Sequence, residues 1–146
     1  MATTRGVTLV ELVVVLAILA AGAGATVTIG RALPRYRVTG VAADLYGALH
    51  LTRGLARATG VMHALVLDRD GGGFRIVEDP AGDARTVMTR RLIEGAVASG
   101  NSTIRFSPKG FAVPFGTITV RAEGEVRRLV VNILGRIRVE DRSLSQ

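Results

Sequence analysis

The residues best placed to do chemistry lie at the two ends of the chain. Near the C-terminus stands Gly135-Arg136-Ile137-Arg138. In a strand alternate residues share a face, so Arg136 and Arg138 point the same way about 6.8 Å apart, while Ile137 and Val139 turn toward the core. Two guanidinium groups at that spacing suit consecutive phosphates of a nucleic-acid strand. Arg127 or Arg128 on the preceding strand, and Arg142 beyond, extend the patch. The competing reading is a solvated strand face whose arginines pair with Glu123, Glu125, Glu140 or Asp141. Near the N-terminus, Glu11 sets a carboxylate inside an apolar run, which costs about 3 kcal/mol in a membrane unless the charge finds a partner. A cut after Gly6 supplies one: Val7 then carries a positive amine one helical turn from Glu11. In an assembly the same carboxylate can neutralise the amine of a neighbouring subunit.

The remaining polar residues offer little chemistry. There is no cysteine, hence no disulfide and no thiolate metal site. His50 and His63 are the only histidines and have no carboxylate at ligand spacing. Asp68-Arg69-Asp70-Gly71-Gly72-Gly73 faintly resembles a calcium loop, but Gly72 and Asp79 stand where ligands are needed, so it reads as a glycine-rich hairpin turn. Asn101-Ser102-Thr103 matches a glycosylation sequon and reads as a turn. No serine sits in a nucleophile elbow. No enzyme and no cofactor are expected. Net charge is +7, with Lys109 the one lysine among nineteen cations. A GC-rich genome produces such an arginine skew, yet a basic surface attracts nucleic acid or anionic lipid whatever its codon history. With no tryptophan and few other aromatics, any DNA contact is expected to be electrostatic, independent of sequence and sensitive to salt.

The element that must position Glu11 is the apolar stretch 7–30. As a helix it is about 34 Å long, enough for a hydrocarbon core of about 30 Å. A secretory signal peptide fits poorly, because its apolar region is only about 7–15 residues long, although residues 20–25 could supply a small-residue cleavage site. A plain single-pass anchor leaves Glu11 unexplained. Arg5-Gly6, then Thr8-Leu9-Val10-Glu11-Leu12 and the apolar run, resembles the class III signal of type IV prepilins and type II secretion pseudopilins. The resemblance implies that a prepilin peptidase of the inner membrane cuts after Gly6 and methylates Val7, and that Glu11 directs assembly with other pilin or pseudopilin subunits. Val7 departs from the phenylalanine usual in that family.

Beyond residue 30 the chain turns amphipathic. Leu33, Val38, Val41, Leu45, Leu49 and Thr52 or Leu55 recur at helical spacing to about residue 58, with Pro34 and the Gly22-Ala23-Gly24 segment as points of weakness and Gly60 as the end. From there the period is that of strands, at 61–67, 73–78, 86–93, 103–107, 116–122, 126–133 and 136–140, parted by turn residues. Periodicity therefore predicts an α+β chain: a long N-terminal helix, half transmembrane and half amphipathic, laid on an antiparallel β domain. Phe106-Ser107-Pro108-Lys109-Gly110, Gly116-Thr117-Ile118-Thr119-Val120 and the segment from Leu129 to Arg138 resemble the C-terminal domain of the GspH/FimT minor pilin family. That resemblance implies a pilin-like fold with two small sheets. It also implies a division into leader 1–6, transmembrane and assembly helix 7–30, amphipathic half 31–59 and β domain 60–146. A single-pass precursor of the inner membrane, its C-terminal domain periplasmic, would then enter a periplasmic or extracellular filament. FimT-type members are implicated in uptake of double-stranded DNA through a Gly-Arg-x-Arg ending. The alternatives are a purely structural pseudopilin and an anchored periplasmic domain that never polymerises.

Overall fold

The computed structural model describes residues 9–141, with side chains for 9–20 and 33–140. Gly6, Val7 and Arg142 lie outside the described residues. The chain divides into two compact units, 1–33 and 34–146.

A single helix, α1, runs Leu9–Thr59 and contains Pro34 in its interior. In the first unit its residues 9–20 are exposed throughout, including Leu9, Val10, Leu12, Leu16, Ile18 and Leu19. Among the described residues no helix is long and apolar enough to cross a membrane. Half of the expected span 7–30, at positions 7–8 and 21–30, has side chains outside the description.

In the second unit, the part of α1 from Pro34 onward buries Val38, Val41, Ala42, Leu45, Ala48, Leu49, Thr52 and Ala56, a stripe at spacings of three and four that matches the helical period. Alanines make up much of this stripe, which lets the strands come close. Thr52 is tolerated there because its hydroxyl donates to the Ala48 carbonyl at 2.7 Å. Leu33 stays 45% exposed, so the apolar face begins later than its leucines suggest.

Among the described residues eight strands follow: β1 His63–Leu67, β2 Gly73–Glu78, β3 Arg85–Arg91, β4 Val97–Gly100, β5 Thr103–Phe106, β6 Gly116–Ala122, β7 Glu125–Val131 and β8 Ile137–Asp141. They form two four-stranded antiparallel sheets, ordered β3-β2-β1-β5 and β4-β6-β7-β8. Leu65, Leu67, Phe74, Ile104 and Phe106 from the first sheet share one core with Ala98, Ile118, Val120, Leu129, Val131 and Ile137 from the second and with the helix stripe. The α+β plan expected from periodicity is the one observed. β4 was not expected, since its residues are small and flanked by glycine.

The sheets meet at two places. At one, the β1–β2 hairpin lies against β4, where Ala98 N–H donates to Gly71 O at 3.0 Å. At the other, the segment after β5 meets the β7–β8 turn, where Ala112 N–H donates to Ile133 O at 3.0 Å.

Candidate assembly helix and arginine face

Glu11 lies in the first described turn of α1. The apolar side chains around it face outward, so this helix presents its surface to whatever solvates or covers it.

At the other end of the chain, a turn sets the arginines. Gly135 N–H donates to Asn132 O at 2.9 Å, Arg136 N–H to the Asn132 side-chain oxygen at 2.9 Å, and Asn132 N–H to Arg136 O at 3.0 Å. Gly135 has φ 69° and is pressed so closely on the Gly110 carbonyl that a Cβ would collide with it. Only glycine meets both demands. From the helix, the Arg53 guanidinium spans the junction, donating from Nε to Gly110 O at 3.1 Å and from a terminal nitrogen to Leu134 O at 3.3 Å. The Gly-Arg-Ile-Arg run thus begins at a turn clamped to α1 before it enters β8.

Arg136 precedes β8 rather than lying in it, and it alternates with Arg138 as an exposed pair about buried Ile137. Directly opposed residues of an antiparallel pair share a face. Arg128 stands opposite Glu140 on β8 and opposite Thr119 on β6, while Arg138 stands opposite Val130. Arg128 and Arg138 are therefore diagonal neighbours on the outer face, about 7–8 Å apart. Arg127 belongs to the other face. It stands opposite Asp141 and Val120 and lines a groove of about 370 Å³ with Thr39, Ala42, Ala43, Tyr46 and Val139. Of the two neighbours offered as extensions of the patch, Arg128 therefore shares the face of Arg138 and Arg127 does not.

Val139 corrects a second expectation. It turns toward the helix side but is 41% exposed, because β8 is an edge strand and the alanines beneath it leave the groove unfilled. Arg121, overlooked in the sequence, joins the outer face: it alternates with Thr117 and Thr119 along β6, a pattern that could have revealed it. Among the described residues, no ion pair engages Arg121, Arg128, Arg136 or Arg138. Glu123, one of the carboxylates considered for pairing, instead holds Arg37 at 3.3 Å.

Other polar residues take structural places. His63 is buried with Nδ1 3.0 Å from Val61 O, and the His50 ring lies against Tyr46 at 4.6 Å between centres, tilted by 57°. Asp70 accepts from Gly72 N–H at 2.9 Å within the hairpin, and Asn101 accepts from Thr117 N–H at 3.0 Å. Among the described residues there is no cluster of histidine and carboxylate able to hold a metal ion.

Residues 41–135 match the family model of type II transport protein GspH, and residues 1–27 match the prokaryotic N-terminal methylation motif. The chain is similar in structure to the type IV minor pilin FimU of Pseudomonas aeruginosa strain PAO1, with a TM-score of 0.63 at 21% identity over 73% of this chain and 90% of that one. It is also similar to the minor pseudopilin EpsH from the type 2 secretion system of Vibrio cholerae, with a TM-score of 0.62 at 16% identity over 72% and 97%. At these identities the likeness is one of fold. No curated protein matches the chain.

Proposed function

The chain belongs to the GspH family, whose members are pilin and pseudopilin subunits, and on that premise we propose that it is a filament subunit inserted through its N-terminal helix. The observation that carries the reading is the methylation motif over 1–27 leading into a helix that exposes one large apolar side chain after another from Leu9 to Leu19. Such a surface demands lipid before assembly and neighbouring helices after it.

In this proposal the leader 1–6 stays on the cytoplasmic side of the inner membrane, and a prepilin peptidase cuts after Gly6 and methylates Val7. The segment 7–30 spans the bilayer and packs in the filament, 31–59 supports the β domain, and 60–146 lies in the periplasm or on the filament surface. Glu11 neutralises the amine of Val7 on a neighbouring subunit, which fixes the axial register. The role is structural, in either a secretion pseudopilus or a type IV pilus.

The test is the fraction of full-length chain recovered in sheared filaments, together with the mass of its N-terminal peptide. Processing after Gly6, with Glu11→Ala cutting incorporation at least tenfold but leaving the chain in the membrane, is the expected result. An intact Met1 in mature protein, or normal incorporation of the variant, rejects the reading.

A second reading, binding of double-stranded DNA, is favoured by the outer-face arginines Arg121, Arg128, Arg136 and Arg138, which form no ion pair among the described residues. It predicts binding of full-length chain in detergent that is lost in Arg136→Ala/Arg138→Ala. Equal binding by both proteins leaves that face as solvated surface and favours the purely structural pseudopilin.

A further inference from the structure

Five large apolar side chains stand exposed around one short stretch of backbone. Phe111, Val113 and Phe115 follow β5 and are 43%, 58% and 59% exposed, while Ile133 and Leu134 tip the β7–β8 turn at 55% and 53%. Hydrogen bonds set these segments side by side: Ala112 N–H reaches Ile133 O, and Val113 N–H reaches Arg105 O at 2.9 Å. Ala112 is buried, so its neighbours Phe111 and Val113 along the extended segment both face outward. The exposed apolar area is on the order of 400 Å², a size that on a monomer is often functional.

The rim of this surface carries one sign of charge. Arg53 and Arg57 on α1 approach Gly110, and Arg105, Lys109 and Arg136 stand on the segments that supply the apolar residues. No aspartate or glutamate occurs in 45–59, 95–122 or 126–139. A second copy of this chain, itself at net charge +7, is repelled from such a rim. Phe111 is held from both sides, since Ser107 N–H donates to Phe111 O at 2.9 Å and Phe111 N–H to the Ser107 hydroxyl at 3.2 Å, which fixes this part of the surface.

We infer that the surface formed by Phe111, Val113, Ile133 and Leu134 docks a different subunit of the same filament, one that presents an apolar side chain ringed by aspartate or glutamate. The apolar centre excludes water, and the arginine rim selects the acidic partner and orients it. This rests on the filament reading for the nature of the partner, whereas the surface itself is independent of it.

The experiment places photoreactive p-benzoylphenylalanine at Val113 of the full-length chain in its native host, with Val87 on β3, 46% exposed, as the control position. The expected result is one discrete adduct at Val113 and none at Val87, with the crosslinked peptide from a heterologous filament subunit and rich in carboxylates. Phe111→Ser/Leu134→Ser and Arg105→Glu/Lys109→Glu should each lower its yield at least tenfold with unchanged thermal melting. A carboxylate-to-arginine change in the partner should restore the yield to the charge-reversed variant.

No adduct overturns the docking surface, even where incorporation into sheared filaments is normal. So does an adduct with lipid, nucleic acid or a second copy, or one indifferent to charge reversal. An acidic heterologous adduct from a chain that never enters filaments upholds the surface and overturns the filament reading alone.

Discussion

Gly135 and Arg53 decide where the C-terminal arginines stand. Gly135→Ala meets two penalties, a left-handed backbone and collision of its Cβ with the Gly110 carbonyl, and should cost at least about 3 kcal/mol. Gly124→Ala shares the positive φ, 88°, but meets nothing within 4 Å, so it should cost about 1 kcal/mol. Denaturant unfolding of both full-length variants in detergent separates the two effects. Equal losses would mean that the close approach to Gly110 carries no weight. Arg53→Lys keeps the charge but has no fork to reach two carbonyls, and should lose about 1–2 kcal/mol in the same assay. Gly135 and Arg138 could be singled out from sequence because their motif is local. Arg53 could not, since its acceptors are backbone carbonyls 57 and 81 residues away and every residue has a carbonyl.

Among the elements, the helix and the strands with strong alternation were legible from periodicity. The limits of β2 and β6 were read to the residue, because turn glycines and charged residues bracket each run. β4 escaped because Ala98 is its one inward side chain and its partners, Gly71 and β6, supply the order that its own residues lack. In the helix, a reading built on the larger residues, Val38, Val41, Leu45, Leu49 and Thr52, missed Ala42, Ala48 and Ala56, whose small size sets how near the strands lie. Ala48→Leu should therefore overpack the core and cost about 1–3 kcal/mol, although it raises hydrophobicity and retains good helix propensity. Leu51→Ala, at a position 45% exposed, should stay within about 0.5 kcal/mol. Thermal melting of the two variants gives the comparison, and a stabilised Ala48→Leu would show that the helix packs less closely than described.

For the molecule as a whole, charge is the property that reaches furthest. The arginine face and the apolar surface with its basic rim adjoin through Arg136, while Glu140 stands among the arginines opposite Arg128. If DNA binds there, each phosphate neutralised contributes about −0.9 to the slope of log affinity against log salt. Arg136→Ala/Arg138→Ala should then make the slope shallower by about 2, and an unchanged slope would place the contacts elsewhere. The sequence could give the sign and size of this charge but not its distribution. Arg127 and Arg128 are adjacent in the chain yet lie on opposite faces, while Arg121 and Arg138 reach the outer face from different strands.

The two junctions between the sheets lie at opposite ends of β1 and β5, one at the Gly71–Ala98 contact beyond Leu67 and the other beyond Phe106. Sheets joined in this way form a closed frame, unlike two plates that can slide. Tension entering through the part of α1 that carries Arg53 is shared at once by Gly110 and Leu134, hence by both sheets.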